Sequence, residues 1–187
     1  MTLLIAGLLS WSFFHLFKSI MPKTRAALET KTGTAPVKAS MALIYVGSII
    51  LMIFGYIQYG SSPLYEPPSW GVHLNNLLML IAVFLMGAGS GKGHAPTLLR
   101  HPMLAGVVVW SVAHLLANGD LRSTVLFGGL GIWAVLNMLT INKRDGAWDR
   151  PVAGPWKADI KTAVISLVVF GVIAAIHYFI GPSPFGG

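Results

Sequence analysis

Long apolar runs separated by short polar segments form the dominant pattern along the chain. Most of these runs approach the ~20 residues that a helix needs to cross ~30 Å of hydrocarbon, and the two in the middle of the chain are the shortest. We therefore predict an all-α fold: a polytopic bundle of about six transmembrane helices in a single domain, residues 1–187. The runs cover approximately 2–21, 40–59, 75–91, 102–118, 123–141 and 160–181.

Basic residues alternate between the connections that join these runs. Of the 13 Lys and Arg residues, only Arg122 lies in the second or fourth connection. Positively charged loops stay in the cytoplasm, so this alternation predicts cytoplasmic odd connections in a multi-pass membrane protein. Both Thr2 and Gly187 are then on the non-cytoplasmic side. No basic segment precedes the first run, which favours a retained helix over a cleaved signal peptide.

Two of the connections have a distinctive composition. The predicted outer loop 61–70 is rich in turn formers and aromatic residues, which is typical of an ordered cap with Tyr65 and Trp70 near the lipid headgroups. The predicted inner loop 145–155 reads as irregular chain on the membrane surface. The role of the wider segment 142–159 stays open.

Composition identifies the solvent and limits the chemistry. The chain is 55% hydrophobic and only 10% charged, against about 25% charged in a soluble domain. Its main partner is therefore the lipid bilayer, and its net charge of +7 reflects topology rather than nucleic-acid binding. The absence of cysteine excludes disulfides, thiolate metal sites and cysteine nucleophiles. Any metal or haem must be held by His, Met or oxygen ligands.

Histidines remain as the candidate functional residues of the predicted helices. Buried ionisable groups in a bilayer are costly and are functional candidates by default, and no Asp or Glu lies at a helix centre. His15 and His114 each belong to a polar stripe with helical spacing, which should face the bundle interior. The two stripes are Ser12, His15 and Ser19 in the first helix and Ser111, His114 and Asn118 in the fourth.

The remaining histidines give weaker predictions. His101 lies about 220° around the helix from His114 and is expected at the cytoplasmic rim. His73 begins the third helix near the depth of His114. His94 is expected to be solvated in an inner loop, and His177, beside Tyr178, reads as an interfacial residue near the outer end of the sixth helix.

His15 and His114 form the candidate pair for a metal or cofactor. By the ~1.5 Å rise per residue, they lie about 18 Å and about 6 Å below the outer face, and their side chains lean toward each other. Two alternatives remain: the imidazoles are axial ligands of a haem, or they are buried histidines bonded to neighbouring serines and tryptophans. Both helices read W-S-x-x-H, which fits an inverted repeat but is short enough for coincidence.

Specific motifs in the fourth run resemble the NnrU family of bacterial membrane proteins. They are LRHPML at 99–104 and WSVAHLLANGD at 110–120, supported by FHL at 14–16 and PPSWGVHL at 67–74. The resemblance covers roughly residues 1–142. It implies a location in the bacterial inner membrane with both termini periplasmic, and a link by name and gene neighbourhood to denitrification and nitric oxide metabolism.

The family resembles a plant and cyanobacterial enzyme, 15-cis-zeta-carotene isomerase. That enzyme looks like a haem b protein whose iron is held by histidines. The resemblance implies haem b here, with His15 and His114 as matched iron ligands and His73 and His101 as further matched histidines. Trp110, Ser111 and Asn118 line the same expected site. The isomerase has a cysteine, proposed as an alternative ligand, where this chain has Ser111. That departure weakens the case for ligand exchange and for isomerase activity.

Three functions follow as alternatives. The first is a haem protein supporting nitrogen-oxide metabolism as a sensor, electron carrier or assembly factor. The second is a haem-dependent cis-trans isomerase of a polyene, whose apolar substrate would suit an aromatic interior. The third is a transporter or structural partner without haem. The sequence leaves the substrate and the oligomeric state open.

Overall fold

The computed structural model describes residues 1–181 and Pro184, and within them the chain is helical with no strand. The predicted all-α membrane bundle is confirmed: five helices are long and apolar enough to span a bilayer, and a sixth is shorter. The prediction that Gly187 is periplasmic falls outside the described residues. The helices are α1 (Thr2–Ile20), α2 (Pro22–Thr32), α3 (Thr34–Tyr59), α4 (Gly71–Ala88), α5 (Pro102–Ala117), α6 (Leu121–Asp145) and α7 (Trp156–Ile180).

Polar and small residues extend several helices beyond their apolar runs. α3 begins at Thr34 because Pro36, Lys38 and the alanines near them tolerate a helical first turn. The first basic connection is itself largely helical, as α2. Inside α6, residues Thr124–Gly128 form a π turn, a feature that often accompanies functional sites. The shortest membrane helix, α5, has 16 residues and covers about 24 Å.

The membrane helices pack in the spatial order α3, α1, α6, α5, α4, α7. α1 pairs with α3, α4 pairs with α5, and α6 joins the two pairs by contacting both α1 and α5. α7 packs mainly on α4. Helices α4 to α7 therefore form a group of neighbours, which α3 approaches near Tyr56.

The first, third and fifth connections meet at one end of the bundle, called here the basic end. Arg144 donates to Ser19 Oγ at 3.2 Å, and Arg100 donates to the carbonyl of Gly146 at 2.7 Å. The amide of Gly154 donates to the carbonyl of Gly93 at 3.1 Å. The alternating passage of the chain follows from these contacts, whereas the side of the membrane on which this end lies stays a prediction. Residues 147–155 are irregular, as predicted.

The second and fourth connections meet at the opposite end, called here the cap end. The amides of Leu64 and Tyr65 donate to the carbonyl of Gly119 at 2.8 and 3.0 Å, and Leu121 donates to Ser62 at 2.8 Å. The Tyr65 hydroxyl donates to the carbonyls of Asn118 and Leu115. Residues 61–70 are thus an ordered cap over the end of α5, as predicted.

One expectation about this end is wrong. In the sequence, Gly119 follows Asn118 at the end of the helix and predicts a C-terminal stop with a positive φ, but the described glycines with positive φ are Gly33, Gly60 and Gly146. α5 ends at Ala117, and Asn118 turns the chain with an extended backbone. Glycine is needed at 119 for a different reason, because a Cβ there would collide with the backbone of Tyr65.

Candidate functional site

A cavity of about 330 Å³ lies among α4, α5, α6 and α7 near the cap end. That volume is at the lower end of the range for small-molecule sites, and most of the lining is apolar, as such sites usually are. No Asp or Glu is among its described lining residues. Its polar lining consists of Tyr56, Asn75, Asn76, His114, Asn118 and His177.

His114 faces this cavity from α5 with its protonation fixed by the backbone. Its Nδ1 donates to the carbonyl of Trp110 at 2.9 Å. A carbonyl oxygen carries no hydrogen, so Nδ1 must hold the proton and the neutral ring keeps a lone pair on Nε2. The described residues give that Nε2 no hydrogen-bond partner. Metal-bound histidines commonly show this arrangement, with the second nitrogen bonded to a carbonyl.

The π turn of α6 holds the His114 ring in place. The Phe127 ring stacks on it with centroids 4.2 Å apart and an interplanar angle of 27°. Ser111, only 3% exposed, donates its hydroxyl to the Phe127 carbonyl, and Trp110 meets the Phe127 ring edge-on at 4.9 Å. The predicted inward orientation of Trp110, Ser111, His114 and Asn118 is therefore confirmed.

His177 lines the same cavity from α7. Its Nδ1 donates to the carbonyl of Ile173 at 2.9 Å, so its Nε2 is also left with a lone pair. Sequence reasoning missed this residue by assigning it to the interface. A signal was present, because α5 and α7 run in the same direction and each histidine stands three residues before the last helical residue, Ala117 or Ile180. The two imidazoles therefore have matching depths.

His15 lies elsewhere, in an aromatic cluster between α1, α3 and α6. Its ring stacks on Tyr45 at 3.9 Å and approaches Trp11 and Trp133 at 4.0 and 5.0 Å. Its Nδ1 donates to the carbonyl of Trp11 at 2.9 Å rather than to a serine or an indole. His15 is about 20 Å along α1 from the cap end, and His114 is only about 5 Å from it along α5. The structure does not place both on one cavity.

The other matched histidines are also away from the cavity. His73 is exposed at the start of α4. His101 bonds through Nε2 to Asn142 Oδ1 at 2.8 Å near the basic end, which agrees with the predicted rim position. His94 is exposed in the α4–α5 connection, as predicted, and its backbone amide donates to Asp159 at 2.7 Å.

A polar network borders the cavity at the cap end. The Tyr56 hydroxyl shares a 2.8 Å hydrogen bond with Ser123 Oγ, which in turn donates to Asp120 at 2.7 Å. The Arg122 guanidinium lies 4.3 Å over the Tyr56 ring and donates to the Tyr56 carbonyl. Across the cavity, the buried Oδ1 of Asn75 has no hydrogen-bond partner among the described residues. A donor for this acceptor would have to come from water or from a bound ligand.

The donor set indicates which metal group the site suits. Among the described residues, no cluster of three or more His, Cys, Asp or Glu side chains could hold a bare ion. Structural zinc needs four protein ligands. Haem iron already has four porphyrin nitrogens and requires only one or two axial side chains, which two imidazoles can provide. The residues present therefore fit haem better than a free metal ion.

Comparison with known proteins gives one match. A family model described as "NnrU protein" matches residues 3–184, which includes α7 and both cavity histidines. No curated protein and no solved structure matches the chain.

Proposed function

Since the chain belongs to the NnrU family, we propose that this membrane protein binds haem b inside the bilayer and supports denitrification and nitric oxide metabolism. The observation that carries the haem proposal is the position and hydrogen bonding of the His114 imidazole. Its imidazole is half-buried, is held by Phe127, and presents a free Nε2 to a mainly apolar cavity. The nitric oxide role rests on the family.

Different residues around the cavity would bind the iron, exclude water and contact the polar edges of the haem. His114 would hold the iron through Nε2, and its bond to the Trp110 carbonyl fixes both the tautomer and the ring orientation. Apolar side chains such as Met79 and Phe170 would exclude water. The amide nitrogens of Asn75 and Asn118 each donate one hydrogen bond within the protein, and their second N–H could donate to a polar edge of the group. Haem bound there would supply an iron centre suited to one-electron transfer or to binding a diatomic gas.

Purification from a haem-competent host tests the proposal. The wild-type protein should show a Soret band and a b-type pyridine haemochrome, and His114→Ala should lose most of the haem. His94→Ala, which changes an exposed loop histidine, is the matched control and should keep a full load. A wild-type spectrum without a Soret band would favour the transporter or structural alternative, and haem retention by His114→Ala would remove the ligand assignment.

A second candidate function is a haem-dependent isomerase of an apolar polyene. The observation in its favour is a separate, almost wholly apolar cavity of about 350 Å³ beside α1 and α3. Tyr56 and Leu126 line both cavities, so a long apolar molecule in the second one would lie next to the first. Its rim is exposed on the lipid-facing side of α3, where Ile57 is 66% exposed.

Reduced, haem-loaded protein incubated with a 15-cis polyene would test this second function. The supporting result is conversion to the trans isomer, measured by chromatography. Protein in which Leu130→Trp fills the second cavity should lose the conversion while keeping its haem. Absence of conversion by loaded wild-type protein would leave the nitric oxide role as the proposed function.

A further inference from the structure

His177 has the features expected of a ligand rather than of an interfacial residue. It is half-buried, whereas its neighbours Ile176, Tyr178 and Phe179 are 49%, 62% and 78% exposed. The inward face of α7 therefore carries Ile173 and His177, residues four apart that both line the cavity. A histidine serving the headgroup region would lie on the opposite face, with Tyr178.

The two cavity histidines present matching chemistry. Each is on the helix turn that precedes the cap end, and each donates Nδ1–H to the carbonyl four residues earlier at 2.9 Å. Both α5 and α7 pack against α4, which places Asn75 and Met79 on the wall between them. An uncharged imidazole with a free Nε2 in an apolar cavity is costly to leave unpaired, and two of them on one cavity suit a single shared ligand atom.

We infer that His177 is the second axial ligand of the haem that His114 binds, so that α5 and α7 contribute the iron-ligand pair. This inference rests on the proposed function. It replaces the His15 and His114 pair, because His15 is enclosed by Trp11, Tyr45 and Trp133 and is not among the residues lining this cavity.

The spin state of the bound iron tests the pair independently of activity. Two imidazole ligands give a six-coordinate, low-spin ferric haem, whereas one leaves the iron five-coordinate and high-spin or water-ligated. His177→Ala should therefore convert the optical and electron paramagnetic resonance spectra from low-spin to high-spin. Millimolar imidazole should restore the low-spin spectrum. His15→Ala and the exposed His73→Ala should both retain the wild-type low-spin spectrum.

A second variant covers the case in which His177→Ala does not fold or loses haem. His177→Met keeps a ligand atom, and exchange of histidine for methionine raises the reduction potential of a haem. A higher midpoint potential with retained haem supports the pair. An unchanged potential and a low-spin spectrum in both position-177 variants would overturn it, as would conversion to high-spin in His15→Ala. Wild-type protein without haem would defeat the proposed function itself and this pair with it.

Discussion

At the scale of single residues, Ser111 shows how one hydroxyl organises the site. It occupies the position of the isomerase cysteine, but it is buried and donates to the Phe127 carbonyl in the π turn of α6. The Phe127 ring in turn stacks on His114. Ser111 is therefore a positioning residue, because its hydroxyl is hydrogen-bonded to the Phe127 carbonyl and it acts on His114 only through Phe127.

Ser111→Ala should destabilise the protein and loosen the His114 ring. The substitution removes a buried hydrogen bond, and such a bond contributes about 0.5–1.5 kcal/mol. Thermal unfolding in detergent should show a lower midpoint, while Ser69→Ala in the exposed cap should leave it unchanged. If the haem-loaded Ser111→Ala protein had the wild-type midpoint and the wild-type ligand-field spectrum, the positioning role would be wrong.

At the scale of helices, close packing of α1 on α3 depends on small residues. A Cβ on Gly55 would collide with the backbone of Leu4, and one on Gly7 would come within 2.7 Å of the Ser48 carbonyl. Helices in lipid gain little from apolar burial against each other, so close backbone approach supplies much of their attraction. The α1–α3 pair in turn supports the aromatic cluster around His15.

Gly55→Ala should separate α1 from α3, whereas Gly47→Ala in the same helix should not. Nothing lies within 4 Å of a Cβ at position 47, and alanine favours a helix over glycine by about 1 kcal/mol. We expect a lower unfolding temperature for Gly55→Ala and an equal or higher one for Gly47→Ala. Equal destabilisation by the two variants would contradict the helix crossing described here.

The cap at residues 61–70 is a second element, and the Tyr65 hydroxyl contributes to its stability. Burial, with a smaller contribution from the Asp120 carboxylate, raises the pKa of the Tyr65 phenol above its ordinary value of 10.0. The protonated hydroxyl is the form that donates to the carbonyls of α5. Its contribution to stability is therefore complete below pH about 10 and is lost only as the pH rises through the folded pKa.

Tyr65→Phe should open the cap at neutral pH. The variant keeps the ring and the chymotrypsin cleavage site but removes the hydrogen bonds to α5. Cleavage at position 65 should become several-fold faster than in the wild type, and raising the pH above 10 should accelerate cleavage of the wild type but not of Tyr65→Phe. Tyr59→Phe, at the exposed end of α3, is the control. Equal cleavage rates at neutral pH for all three proteins would show that the hydroxyl does not anchor the cap.

At the scale of the whole molecule, the two ends of the bundle differ in charge and in packing. The basic end gathers the first, third and fifth connections, and the cap end holds Arg122 inside a network with Asp120 and Tyr56. The candidate cavity opens near the cap end. With the basic end in the cytoplasm, as the positive-inside rule predicts, the proposed haem site would lie close to the periplasmic surface.

Single-cysteine labelling determines this orientation, and the absence of native cysteine makes it free of background. Glu66→Cys in the cap and Asp149→Cys in the basic-end loop are both exposed positions. In intact cells with permeable outer membranes, a membrane-impermeant maleimide should label position 66 and leave position 149 unlabelled. The reverse pattern would invert the topology and move the cavity to the cytoplasmic side.

Sequence alone determined the membrane class, the helix number, the ordered cap and the inward face of α5. Each of these depends on a local period or on charge counted along the chain, so neighbouring helices need not be known. The family followed in the same way from short motifs such as RHPM and AHLLANGD, and the match extends through residue 184.

Tertiary structure alone decided which histidine shares a cavity with His114. His15 carried the stronger sequence signal, because a polar stripe in the middle of a helix suggests an interior site. Yet the order α3, α1, α6, α5, α4, α7 places α1 beyond α6, whereas α7 reaches the same α4 wall as α5. Helix order in a bundle is set by how the surfaces of different helices fit together, for example at Gly55, where the absence of a side chain lets α1 approach, and at the Phe127 ring. That fit between helices produces no periodic signal along a single chain.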